Sequence, residues 1–137
     1  MSKQNMLILC TGNSARSQMA EGLFRAAAGD RYEVHSAGIK PSLVRPEAIA
    51  VMAEIGIDLS GHRSKSVDEF AGFPFDLVIT VCDNANEICP VYPGTTTRLH
   101  WPFEDPAEVA GMQEVREAAF RKVRDQIRAR IADYLAV

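Results

Sequence analysis

The chain is short of cysteine: three in 137 residues, Cys10, Cys82 and Cys89. An odd number so widely spaced excludes a framework of structural disulfides and suits a reducing compartment. Positive charge is not in excess either, with 15 Lys and Arg against 18 Asp and Glu and a net charge of −3. A nucleic-acid-binding face, which needs concentrated basic residues, is therefore not expected. No apolar run approaches the length of a bilayer span, and the run after Asn5 is too short for a signal peptide, so no membrane partner and a cytoplasmic location are expected. No Cys-x-x-Cys or close His pair is present, and His35, His62 and His100 are scattered, so no metal site is expected. Repeats, low-complexity tracts, linkers and a dinucleotide fingerprint are likewise missing.

What is there, at 47% hydrophobic, is enough for one compact domain over residues 1–137. An apolar run from Asn5 to Cys10 reads as a strand. Met19, Ala20, Leu23, Phe24 and Ala27 then trace one face of a helix ending near Gly29, and Tyr32–Ala37 reads as a second strand stopping at Gly38. Pro46 opens a helix with Ala48, Ile49, Val51, Met52 and Ile55 inward and Gly56 as its cap. Ser66 is placed to cap a short helix through Phe70. Phe75–Val81 has the unbroken apolar character of a central parallel strand, and Thr97–Trp101 is a fourth candidate. From Met112, Val115, Ala119, Val123, Ile127, Ile131 and Leu135 recur every four residues, widened by Phe120 and Tyr134, as a long terminal helix. Its interleaved Arg, Lys, Glu and Asp read as a solvated face. The whole is an α/β fold: a doubly wound, four-stranded parallel sheet with helices on both faces. Such sheets bind ligands at the carboxyl ends of their strands, where Cys10 ends the first strand and Cys82 the third.

The stretch Cys10-Thr11-Gly12-Asn13-Ser14-Ala15-Arg16-Ser17 joins strand to helix. It is long enough to curl around one tetrahedral oxyanion, with backbone N–H groups turned inward and a helix N-terminus behind. Gly12 and Asn13 tolerate the positive φ such a curl demands. Arg16 can grip two oxygens, and the positive field favours Cys10 as a thiolate nucleophile. A Cys and an Arg at this spacing also fit a plain strand end and a surface cation; the flanking strand and helix favour the anion loop. Asp105-Pro106 follows the fourth strand at the same rim, where proline stiffens the chain that holds a carboxyl group. Taken alone, Asp-Pro also fits an ordinary turn.

Cys10–Ser17 resembles the phosphate-binding loop of the low-molecular-weight protein tyrosine phosphatase superfamily, and Ser17-Gln18-Met19-Ala20-Glu21 continues it as in the thioredoxin-coupled arsenate reductases. The resemblance spans nearly the whole chain and implies the same α/β architecture. It implies Cys10 as nucleophile, Arg16 and the loop from Thr11 to Ser17 as oxyanion holders, with Ala15 among them, and Asp105 as general acid. It also implies Cys82 and Cys89 as relay thiols, through a Cys10–Cys82 and then a Cys82–Cys89 disulfide that thioredoxin reduces.

As an ordinary segment, Cys82-Asp83-Asn84-Ala85-Asn86-Glu87-Ile88-Cys89 would be a short helix with two small buried hydrophobes. Seven helical steps would hold the two Cα atoms about 10 Å apart, beyond the ~7 Å reach of a disulfide, so a bond between them requires unwinding. Asp83, Asn84 and Asn86 make unwinding inexpensive. Two departures from the family pattern stand out. Ala15 replaces a further cysteine that many relatives carry in the loop. Lys65 stands where an aspartate helps Asn13, Glu21 and Ser36 bind potassium in some relatives, and its ammonium would neutralise Glu21 without a metal.

The expected activity is reduction of arsenate to arsenite, with phosphate and sulfate as competing oxyanions, no bound cofactor, thioredoxin as electron donor and a monomeric protein. The alternative is a protein tyrosine phosphatase that hydrolyses a Cys10 phosphocysteine. Against it, Ala107-Glu108 stand where the phosphatases usually carry aromatic residues after Asp-Pro. A non-enzymatic anion-binding module would have no use for the nucleophile, acid and relay thiols.

Overall fold

The computed structural model describes residues 3–81 and 97–136. Four strands, β1 (Gln4–Cys10), β2 (Tyr32–Gly38), β3 (Leu77–Thr80) and β4 (Thr97–His100), form one sheet in the order β2-β1-β3-β4. All neighbours are parallel, with Leu7 opposite both His35 and Val78, and Cys10 opposite Gly38. β1 is central, and Met6 through Cys10 are buried, which is why that run is continuously apolar.

The helices α1 (Arg16–Ala28), α2 (Pro46–Ala53) and α3 (Gln113–Leu135) contact one another beside the sheet. Successive strand side chains point to opposite faces. Ser36 reaches Glu21 on α1, whereas its neighbour His35 packs on Phe70, Phe73 and Phe75. Phe70 ends a 3-10 helix, Val67–Phe70, which therefore covers the other face. Ser66 caps it by accepting from the Asp68 N–H, as its sequence foretold. Among the described residues no helix is long and apolar enough to cross a membrane.

Three local expectations change. β3 is shorter than Phe75–Val81, running from Leu77 to Thr80, although Asp76 and Val81 at its margins still donate to the Asn5 and Leu9 carbonyls of β1. Val115 is half-exposed rather than inward. A residue repeated every four positions drifts about 40° around a helix of 3.6 residues per turn, so the stripe that buries Val123, Ile127 and Ile131 has rotated away by Val115. The charged face of α3 is also less solvated than its composition suggests. Arg124 is buried and donates to the Val51 carbonyl and to Glu54, and Arg121 forks onto the same carboxylate. Those bonds pin α3 to the end of α2.

Candidate active site

The loop between β1 and α1 is held by its carbonyl groups. Ile39 N–H donates to Cys10 O (3.2 Å), Lys40 N–H to Thr11 O (2.8 Å), Ser42 N–H to Gly12 O (3.2 Å) and Arg45 N–H to Ser14 O (2.9 Å). Ser64 Oγ adds a second bond to Gly12 O, and Gln18 Nε2 donates to Asn13 O at 3.1 Å. In a planar trans peptide the next residue's N–H points opposite to the carbonyl. Turning every carbonyl from Cys10 to Ser14 outward therefore turns the N–H groups of Thr11 through Ala15 toward the inside of the curl. α1 begins behind them with no side chain capping its first turn, so its N-terminal N–H groups add to the same positive pole.

Two residues let the backbone take this path. Asn13 has φ of 48°, the left-handed region that asparagine tolerates best among residues with a side chain. Gly38, opposite Cys10, lies so close that an added Cβ would sit 2.7 Å from Thr11 O and 2.9 Å from Asn13 N.

A buried polar network braces the loop from below. Asn13 Nδ2 donates to Ser17 Oγ (2.8 Å) and Ser36 Oγ (3.0 Å), while its Oδ1 accepts from Lys65 N–H and Gln18 Nε2, each at 3.0 Å. Ser36 donates to Glu21 Oε1 at 2.5 Å. Glu21 is enclosed by Arg25 (2.9 Å), His62 (3.5 Å) and Lys65 (3.8 Å). Burial lowers the pKa of Lys65 and of His62 from their ordinary values, against the opposing pull of Glu21. The ammonium of Lys65 thus lies beside the carboxylate it was expected to neutralise.

Arg16 leaves the first turn of α1 and crosses the mouth of the loop. Its Nη1 donates to Phe103 O at 3.1 Å and its Nη2 lies 3.5 Å from Asp105 Oδ2. Among the described residues nothing bonds buried Arg16 Nε. Asp105 caps a 3-10 helix, Pro106–Glu108, by accepting from Ala107 N–H, which fixes one carboxylate oxygen and leaves the other toward Arg16. Pro106, expected only to stiffen the chain, occupies the first position of that helix.

The structure thus gathers Cys10, the loop through Ser17, Arg16 and Asp105 at one rim. Cys82 and Cys89 lie outside the described residues. Sequence reasoning passed over Gln18, His62, Ser64, Gly38 and the Phe103 carbonyl. A glutamine on the apolar side of a helix was the one available signal, since a buried amide needs partners.

A chain built this way can hold a tetrahedral oxyanion against a thiol, with a carboxyl group over it. Known proteins share the plan. The model of the family described as low molecular weight phosphotyrosine protein phosphatase matches residues 5–137. An arsenate reductase of Halalkalibacterium halodurans is 46% identical over 134 residues, covering 98% of this chain and 96% of that protein. A solved arsenate reductase in the phosphate binding state superposes with a TM-score of 0.77 at 33% identity, over 97% of each chain. A thioredoxin-dependent arsenate reductase of Corynebacterium glutamicum superposes with a TM-score of 0.66 at 28% identity, over 93% of this chain and 61% of that one.

Proposed function

This chain belongs to the low molecular weight phosphotyrosine protein phosphatase family, and we propose that within it the protein reduces arsenate to arsenite with electrons from thioredoxin. The observation that carries the reading is the Arg16 bridge, which puts the Asp105 carboxyl at the mouth of a loop headed by Cys10. The relatives named above favour arsenate over a phosphate ester as the oxyanion.

The Cys10 thiolate attacks arsenic held by the inward N–H groups and Arg16, and Asp105 protonates the oxygen that leaves as water. Asn13 donates to Ser17 Oγ, so the hydroxyl proton of Ser17 is directed elsewhere, and the Cys10 thiolate is its acceptor in this reading. Ser14 joins the loop's donors. The Cys82 thiolate then attacks Cys10 Sγ. The sulfur–arsenic bond breaks with its electron pair on arsenic, so As(V) becomes As(III), arsenite departs, and Cys10–Cys82 is left as a disulfide. Cys89 attacks Cys82 and frees Cys10. The resulting Cys82–Cys89 disulfide takes two electrons from the thioredoxin dithiol, which is itself oxidised to a disulfide.

Arsenate turnover coupled to thioredoxin, thioredoxin reductase and NADPH tests this. Cys82→Ser should stall at the Cys10 adduct. Cys89→Ser should complete one turnover and stop with Cys10 joined to Cys82, as read by peptide mapping. Repeated turnover by Cys89→Ser would refute the relay. No arsenate turnover in the unaltered protein, together with brisk phenyl phosphate hydrolysis, would assign it to the phosphatases instead.

A further inference from the structure

The network beneath the loop has only one possible direction of proton donation, and Gln18 is its pivot. Gln18 is fully buried in the first turn of α1, and one end of its amide lies within 3.1 Å of three oxygens: Asn13 O, Asn13 Oδ1 and Arg63 O. Two of these are main-chain carbonyls, which can only accept, so that end is the NH2 group. The other end, Oε1, then faces His62 Nδ1 at 3.0 Å, and that ring nitrogen must carry a proton. On the far side, Lys65 N–H can only donate, so the Asn13 atom it meets is Oδ1. The Asn13 NH2 is thereby committed to Ser17 and Ser36.

With two hydrogens for three oxygens, the Gln18 NH2 shares one of them, and it reaches Asn13 at two points, the main-chain oxygen and the side chain. The Asn13 carbonyl shares a peptide plane with the Ser14 N–H. Holding the one outward holds the other toward the centre of the loop. Asn13 is also the loop residue with positive φ, in a region that costs an L-residue about 1–2 kcal/mol. A backbone in that region needs holding.

We propose that Gln18 is a positioning residue for oxyanion binding: clamped in register by His62, it keeps the Asn13–Ser14 peptide turned so that the Ser14 N–H points at the bound anion. This rests on the reading of the Cys10–Ser17 loop as an oxyanion site. Gln18 touches neither the anion nor Cys10 in this scheme. It acts through Asn13.

The test is phosphate binding, by calorimetry and by the phosphate-induced shift of the Ser14 amide in nitrogen-15 NMR, beside the melting temperature. Gln18→Met keeps the length of the side chain and removes all its hydrogen bonds. It should raise the phosphate Kd about tenfold or more and suppress the Ser14 response in a protein that remains folded, the scale of one or two lost hydrogen bonds. A buried amide that served only stability would lower the melting temperature and leave the Kd of the folded fraction unchanged. His62→Ala, at a half-buried position, removes the donor that orients Gln18, together with the longer contact to Glu21, and leaves the Gln18 amide in place. It should weaken phosphate binding about threefold, and it serves equally if Gln18→Met does not fold. A Kd within twofold of the unaltered protein in a folded variant, with the Ser14 response intact, would overturn the proposal. Failure of the unaltered protein to bind phosphate or arsenate would overturn the reading of the loop itself, and the proposal with it.

Discussion

The Cys10–Ser17 loop and the Trp101–Val109 segment meet at one site, but they are held there by different means. Each carbonyl of the loop from Cys10 to Ser14 accepts a hydrogen bond from another part of the protein, and Asn13, Ser17 and Gln18 beneath it are fully buried. The inward N–H groups are thus oriented by the protein itself, and in the proposed function an anion would bind with little reorganisation. Asp105 is about a quarter exposed. Its links are the N–H of Ala107 and the guanidinium of Arg16, whose Nη1 also takes the Phe103 carbonyl. Buried Arg16 Nε, like Nε of Arg45 and Arg116, has no partner among the described residues. The acid is therefore positioned through the group that would hold the substrate. In the proposed function, binding is then built into the scaffold and the chemical step is coupled to occupancy of the site.

Substitutions on the two sides should separate along that line. Asp105→Asn keeps the cap on Ala107 through its one oxygen, turns an NH2 instead of an oxygen toward Arg16, and offers no acid proton. Its kcat should fall by roughly 10²–10⁴ while the phosphate Kd stays within a few-fold of the parent. An unchanged rate under single-turnover conditions would remove Asp105 from the chemistry.

Gly38→Ala strikes the other side. The added Cβ would meet backbone at 2.7 and 2.9 Å, so the loop must shift. Overpacking of this kind costs about 1–3 kcal/mol. The phosphate Kd should rise about tenfold, with a smaller change in kcat. Equal losses in binding and in the chemical step would blur the contrast between the two regions.

The smallest effect is expected far from both. Glu54 is held by Arg121 and Arg124 from α3, and the Arg121 hydrogen bond foremost lowers its pKa from 4.5 to about 2. A depressed carboxyl pKa stabilises the folded state above the unfolded value and loses that contribution as the pH falls. Glu54→Gln should therefore lower Tm by about 1–3 °C near neutral pH. The difference should shrink as the pH falls from 4.5 toward 2, and phosphate binding should not change. A difference that grew on acidification would contradict the ion pair.

Legibility followed the same division. The loop could be read in advance because its parts are contiguous: a strand end, residues that accept positive φ, and a helix start need no distant partner to be recognised. Asp105 could be singled out because Pro106 follows it directly. The bracing network could not. Asn13 is held from Lys65 and Gln18 from Arg63, each far along the chain, and Gly38 matters because parallel pairing puts it opposite Cys10. Nothing in local spacing encodes those distances. The fold was legible in its strands and their alternation with helices, though their order across the sheet came only from the structure, and the error at Val115 came from treating a four-residue repeat as one face over twenty residues.

By itself the sequence determined the local pieces: a cysteine at a strand end, an anion-sized loop before a helix, an aspartate before a proline, and strands whose apolar length required burial. Tertiary structure alone decided the rest. It settled which way each loop peptide turns, because that depends on donors from Ile39 to Arg45 and on Gln18 and Ser64. It also placed Arg16 against Asp105, because strands of one parallel sheet deliver their carboxyl ends to a single edge, whatever the separation along the chain.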